Sequence, residues 1–290
     1  MLVICNYLIF WVLSMKKWWT YILIFITIGL ITSLHASAAD PIIININRWL
    51  EVRRPQGEVI YSRGQTIQKA TNGMRLQTVG ETITTKQGSS VILAIDIATG
   101  LVKVAENTTV TIKKLETGNK GQKITELEVK SGQVNLQIRP LTHKTSRVEI
   151  KTPAGIAGVR GTEFGVSVQE DGKMGVATRK GAVATSAENQ TILVKAGFQN
   201  ITIPGQPPSI PIPLQEDTHL NISQLLAEGN QVRIVGKVDA VNLLIFNQQR
   251  QNIDLNGKFD IIVPLPFNRK VEAIVRTPLG KQQLYQLIVP

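Results

Sequence analysis

Cysteine is nearly missing: Cys5 is the only one in 290 residues, beside three histidines. Cys5 falls in an apolar leader, so the rest of the chain has no thiol, no disulfide and no cysteine metal site. His143 and His219 sit in different parts of the chain, outside any ligand-spaced cluster, so no metal is expected. No Gly-x-Ser-x-Gly elbow is present, and a Cys–His nucleophile cannot be built. The glycine-rich run Gly155–Gly161 lacks the Lys-Ser/Thr ending of a phosphate loop and leads into a strand. Glu170-Asp171 reads as a solvated turn, since paired acid–base carboxylates come from separated positions. These absences lead us to expect neither enzyme chemistry nor a cofactor. Aromatics are scarce, at 5%. Helical periodicity is scarce too: Ser223–Gly229 is the best helical candidate, and it is short.

The charge has one sign in excess. The net value is +11, and losing Lys16 and Lys17 with the leader lowers it by two, to +9. The basic residues are scattered (Arg53-Arg54, Lys113-Lys114, Arg179-Lys180), without a stripe or interleaved aromatics, so no nucleic-acid partner is expected. An anionic envelope polymer remains compatible with that charge.

Met15-Lys16-Lys17, the apolar run Trp18–Leu34 and then Ala36-Ser37-Ala38-Ala39 have the layout of a secretory signal peptide over residues 1–39. Cleavage is expected after Ala38 or Ala39. Residues 1–14 are apolar without a basic start, which suggests Met15 as the true first residue. The rival reading is an uncleaved anchor, in which Trp18–Leu34 holds the protein in the inner membrane.

The rest of the chain is rich in Val, Ile, Leu and Thr, in short alternating pieces separated by Gly and Asn turns. The expected fold class is all-β. Residues 40–203 form a larger module, 204–216 a Pro-rich linker and 217–290 a small β module. In that last part Ile253-Asp254-Leu255, Asn256-Gly257 and Phe259-Asp260-Ile261 read as a hairpin. Its order of strands and turns is similar to bacterial immunoglobulin-like modules.

The most informative stretch is Lys151–Val168. Gly155, Gly158 and Gly161 recur every three residues, implying positive φ or close backbone approach. Phe164, Val166 and Val168 share one face, with Gly165 and Ser167 on the other. A three-residue loop at Glu170–Gly172 pairs Val168 with Met174 and Val166 with Val176, keeping one face apolar. Glu128–Val134 and Ala177–Val183 echo each other as strand, Gly step, strand, which hints at stacked β layers.

Thr152-Pro153, then Gly158-Val159-Arg160-Gly161-Thr162 with Phe164, then Lys180-Gly181-Ala182-Val183, resembles the FecR domain over roughly residues 48–203. The resemblance implies a twisted stack of short strands, solenoid- or sandwich-like, outside the inner membrane. In signalling members of that family a membrane helix leads to a cytoplasmic tail that binds a sigma factor, and an outer-membrane transporter supplies the signal. No such tail is expected before Lys16, and residues 217–290 do not resemble the transporter-contacting module. The expectation is an exported, non-enzymatic FecR-domain protein whose partner is an envelope protein or polymer. A membrane-anchored regulator is the alternative. Arg160 is expected to tie neighbouring turns together.

Overall fold

Alternating apolar and polar residues give strands with one buried face. The computed structural model describes residues 47–290; the leader, with Ala36, Ala38 and Ala39, lies outside the described residues. Strands β1 (Leu50–Gln56), β2 (Val59–Arg63), β3 (Thr66–Lys69), β4 (Arg75–Leu76), β5 (Thr82–Thr85) and β6 (Ser90–Ile95) open the fold. β7 (Gly100–Val104), β8 (Thr108–Thr117), β9 (Lys123–Val129), β10 (Gly132–Ile138), β11 (Arg147–Thr152) and β12 (Gly155–Val159) follow. β13 (Glu163–Val168), β14 (Met174–Lys180), β15 (Ala182–Ala187), β16 (Gln190–Lys195), β17 (Phe198–Thr202) and β18 (Ile212–Pro213) complete the first body.

These strands make two nine-stranded sheets. Sheet I has the order β18-β17-β14-β13-β10-β7-β6-β1-β4, and sheet II β16-β15-β12-β11-β9-β8-β5-β2-β3. Both run from early strands at one end to late strands at the other, and the chain passes repeatedly between them. The expected echo is a pair of such passages. At Gly132 it goes from β9 in sheet II to β10 in sheet I, and at Gly181 from β14 in sheet I to β15 in sheet II. One core fills the space between the sheets, with Leu136, Phe164, Val166 and Met174 meeting Leu127, Ile150, Val159 and Val183. Burying each large side chain contributes about 1.5–3 kcal/mol.

The β13–β14 hairpin has the expected register, Val166 opposite Val176 and Val168 opposite Met174, with Gly172 at φ +86°. The Pro-rich stretch lies along the edge of sheet I instead of hanging free. Ser209 donates to the Ile201 carbonyl and Leu214 to that of Gly197, both at 2.8 Å. Its prolines have no N–H, which makes this edge a poor template for further pairing.

The second body holds β19 (Asn221–Glu228), β20 (Gln231–Lys237), β21 (Leu243–Phe246), β22 (Gln249–Gln251), β23 (Lys258–Pro264), β24 (Lys270–Arg276) and β25 (Gln282–Ile288). Sheet III is β19-β20-β23 and sheet IV is β22-β21-β24-β25. They enclose a separate core around Val232, Ile234, Phe246, Phe259, Val271 and Val275.

The chain is all-β, and no helix occurs among the described residues; none there is long and apolar enough to cross a membrane. Two local expectations are corrected. Ser223–Gly229 is not helical: most of it is β19, whose Ile222, Leu225 and Ala227 pack on the second core while pairing with β20. That burial outweighs the helix preference of Leu-Leu-Ala-Glu. Ile253–Leu255 is not a hairpin strand either, because β23 pairs with β20. Asp254 instead takes the N–H groups of Asn256 and Lys258 at 2.8 and 2.7 Å, forming a turn as the chain crosses between sheets.

Candidate functional site

The Val-Arg-Gly-Thr-x-Phe residues form a passage between layers. Val159 ends β12 in sheet II, opposite Val148. Phe164 enters sheet I in β13, between Leu136 and Thr178, and is fully buried. Between them, Thr162 exchanges backbone bonds with Ile138 at 3.0 and 2.9 Å. Its hydroxyl donates to the Ala182 carbonyl at 3.1 Å. Thr162 therefore ties together three passes of the chain, near residues 138, 162 and 182.

Gly161 is required by space. A Cβ there would stand 2.8 Å from Pro140 Cα. Arg160 is exposed; its Nη2 donates to the His143 carbonyl at 3.1 Å, and its own carbonyl accepts from Leu141 at 2.8 Å. Arg160 thus holds the loop between β10 and β11 against the passage.

Thr152 and Pro153 sit at the other end of β12. Thr152 pairs with Gly155 across a two-residue turn, and the Gly155 N–H donates to the Thr152 hydroxyl at 3.2 Å. Pro153 packs on the β13–β14 loop, where a Cβ on Gly172 would be 2.8 Å from Pro153 Cβ. Gly158 lies mid-strand with nothing closer than 3.7 Å to a Cβ. The quoted residues therefore divide between the two ends of β12.

Beside the passage a cleft of about 620 Å³ opens on the outer face of sheet I, lined among others by Arg53, Leu101, Gln137, Arg139, Glu163 and Lys180. Register explains the convergence: Ala94 is opposite Leu101, Leu101 opposite Gln137, Gln137 opposite Glu163, and Glu163 opposite Lys180. Ala94 and Gly100 leave a shallow floor. Glu163 is held by Arg179 at 3.1 Å and Lys180 at 3.4 Å. Arg53 pairs with Glu51 at 2.8 Å, and that bond holds the Glu51 carboxyl below its usual range. Arg139 forms no ion pair among the described residues. The arrangement can attract anions and contact apolar groups. Among the described residues no three His, Cys, Asp or Glu side chains gather as metal ligands.

Residues 81–184 match the family described as FecR protein. The FecR resemblance is borne out over this stretch. It runs from the start of β5 into β15 and contains the strand passage, inside the wider span expected from sequence. Two crystal structures of a proposed anti-sigma factor from Parabacteroides distasonis ATCC 8503 are similar to the chain at 16% identity, with TM-scores of 0.36 and 0.37. The match covers 46% of this chain and 59% of theirs. A polysaccharide lyase structure aligns at 10% identity and TM-score 0.20, over 81% of this chain and 39% of that one. No curated protein matches the chain.

Sequence reasoning missed the cleft. Arg53, Arg139 and Lys180 are far apart in the chain; Arg53 and Lys180 were read only as scattered cations, and Arg139 was not singled out. Local alternation carries no record of which strands become neighbours.

Proposed function

We propose that this is an exported, non-enzymatic FecR-domain protein of the bacterial envelope that binds or organises another envelope component. The supporting observation is the cleft beside the strand passage. It offers three cations, an amide and an aliphatic side chain at residues 53, 139, 180, 137 and 101. Such a set suits an anionic, partly apolar protein segment and lacks a nucleophile with its base. The strand order of the second body, three strands against four, supports reading it as an immunoglobulin-like module that extends the binding surface.

Two measurements test this. Intact mass in cell fractions should start at Ala39 or Asp40 and appear in the periplasmic or secreted fraction. A mass that retains Trp18–Leu34 in the inner membrane favours the anchored regulator instead. Envelope extract should then be passed over immobilised protein and over the Arg139→Glu, Lys180→Glu variant. An acidic protein held by the first and not by the second is the expected result. Equal retention by both removes the cleft from the mechanism, and salt-sensitive retention on isolated wall material points to an anionic polymer.

A further inference from the structure

The outer face of sheet I beyond the cleft is covered by the second body, whose Ile253 N–H donates to Gln169 Oε1 and whose Arg250 donates to Ser131 Oγ, both at 3.2 Å, while a set of first-body side chains donates the other way. Gln133 Nε2 donates to the Thr277 and Pro278 carbonyls at 2.8 and 2.9 Å. Asn135 Nδ2 donates to Pro278 at 2.6 Å, and Ser167 Oγ to Val241 at 2.6 Å. Gln169 Nε2 reaches the Asn242 carbonyl at 3.1 Å. Lys173 Nζ donates to the Ile253 and Asp254 carbonyls at 2.5 and 3.1 Å. In each bond of that set a FecR-domain side chain donates and a main-chain carbonyl accepts. Gly165 and Gly175 complete the fit: a Cβ would stand 1.9 Å from the Pro278 oxygen and 2.6 Å from that of Val241.

Three features mark this contact as separable. Each body has its own hydrophobic core, and the two do not merge. The junction is polar and incompletely satisfied: Gln133 Oε1, Asn242 Oδ1, Thr277 Oγ1 and Arg250 Nη1 are buried without a partner among the described residues. Each such group is penalised when dry and regains hydrogen bonds when wetted. Lys173 is 3% exposed and forms no ion pair among the described residues. The charged groups facing it are Asp171 and Glu170 from its own hairpin and, from the second body, Asp254 and Arg250, the last held by Glu170 at 2.7 Å.

We propose that the second body is a releasable cap on the FecR domain, with Lys173 as its proton-sensitive latch. A neutral amine has two N–H donors, matching the two carbonyls that receive it, whereas the protonated form carries an unpaired charge into the junction. Burial lowers the Lys173 pKa from 10.5 to about 8, opposed by Asp171 and Asp254. The docked form therefore binds fewer protons than the released form between those values. Docking strengthens as pH rises through that window, and the docking constant is roughly 30-fold larger at pH 9.5 than at pH 7.

Spin labels at Lys103→Cys, on sheet I, and Gln283→Cys, on β25, report the separation in the exported full chain. The expected result is a docked distance that dominates at pH 9.5 and a longer population that grows at pH 7. Lys173→Met should remove that pH dependence. Gly165→Ala should favour the long distance at every pH while both bodies stay folded, seen as two separate denaturant transitions. A single docked distance across the pH range, in wild type and Gly165→Ala alike, overturns the proposal. If Gly165→Ala fails to fold, the Lys173→Met series decides, because an unchanged pH response rules out the latch.

Discussion

Gly161 touches Pro140 at a distance that only glycine permits, since a Cβ on Gly161 would stand 2.8 Å from the Pro140 Cα. The Gly161 carbonyl in turn lies 2.6 Å from where a Cβ on Gly181 would be. The atoms nearest a Cβ on Gly161 are Pro140 backbone, so no flexible side chain can move away. Gly161→Ala should therefore destabilise the FecR domain by roughly 1–3 kcal/mol, read from the urea midpoint. Gly158→Ala is the contrast: the nearest atom is 3.7 Å away and belongs to the Glu149 side chain. It should leave stability unchanged or raise it by up to about 1 kcal/mol. Equal losses at both positions would show that the strand passage is not the tight point.

A buried ion pair seals one edge of the same body. Arg48 meets Asp96 at 2.9 Å with both side chains almost out of water. It also donates to the Glu116 and Ile124 carbonyls and to the Thr125 hydroxyl. Removing one partner of such a pair strands the other charge, at a cost of roughly 3–5 kcal/mol. Asp96→Ala should show that loss in denaturant unfolding. Replacing both, Arg48→Met with Asp96→Ala, should cost less than the sum of the single changes.

Much of the fold was legible because alternation and turn chemistry agree locally. Val166 and Val168 could keep one apolar face only by pairing with Val176 and Met174, and they do. Leu225-Leu226-Ala227-Glu228 misled because helix preference is local, whereas β19 is fixed by its distant partner β20 and by the core beneath. Gly165 and Ser167 were placed correctly on the opposite face, yet that face is buried under the second body instead of facing water. A glycine inside a strand was the available sign of close backbone approach. It did not say which backbone would approach.

Glu106 and Arg276 cross the same junction at 2.5 Å. Burial raises the Glu106 pKa, but the Arg276 hydrogen bond and the Gly88 N–H outweigh it, and the net shift is downward from 4.5. A carboxyl lowered in the folded state contributes stability above its unfolded pKa and loses it as pH falls through the folded value. Acid should therefore loosen the junction below about pH 4.5. Glu106→Gln should remove this acid-side loss in a pH series of thermal midpoints, with the Lys173 response at alkaline pH intact.

Glu163 and Asp96 are the acidic residues lining the cleft, and Glu163 is paired with its neighbours Arg179 and Lys180. These pairs are partly exposed, so their contribution to stability is small, about 0–1 kcal/mol. Glu163→Gln should thus change the unfolding midpoint little. It should strengthen capture of an acidic envelope protein, because Lys180 loses its competitor for an incoming carboxylate while Arg179 keeps Glu216 at 3.2 Å. Arg139→Glu should act in the opposite direction, and both effects should shrink as salt screens the cleft. Binding measured for the three proteins at low and high ionic strength checks the order Glu163→Gln, wild type, Arg139→Glu. A reversed order, or one that salt leaves untouched, would place the binding surface elsewhere on the sheets.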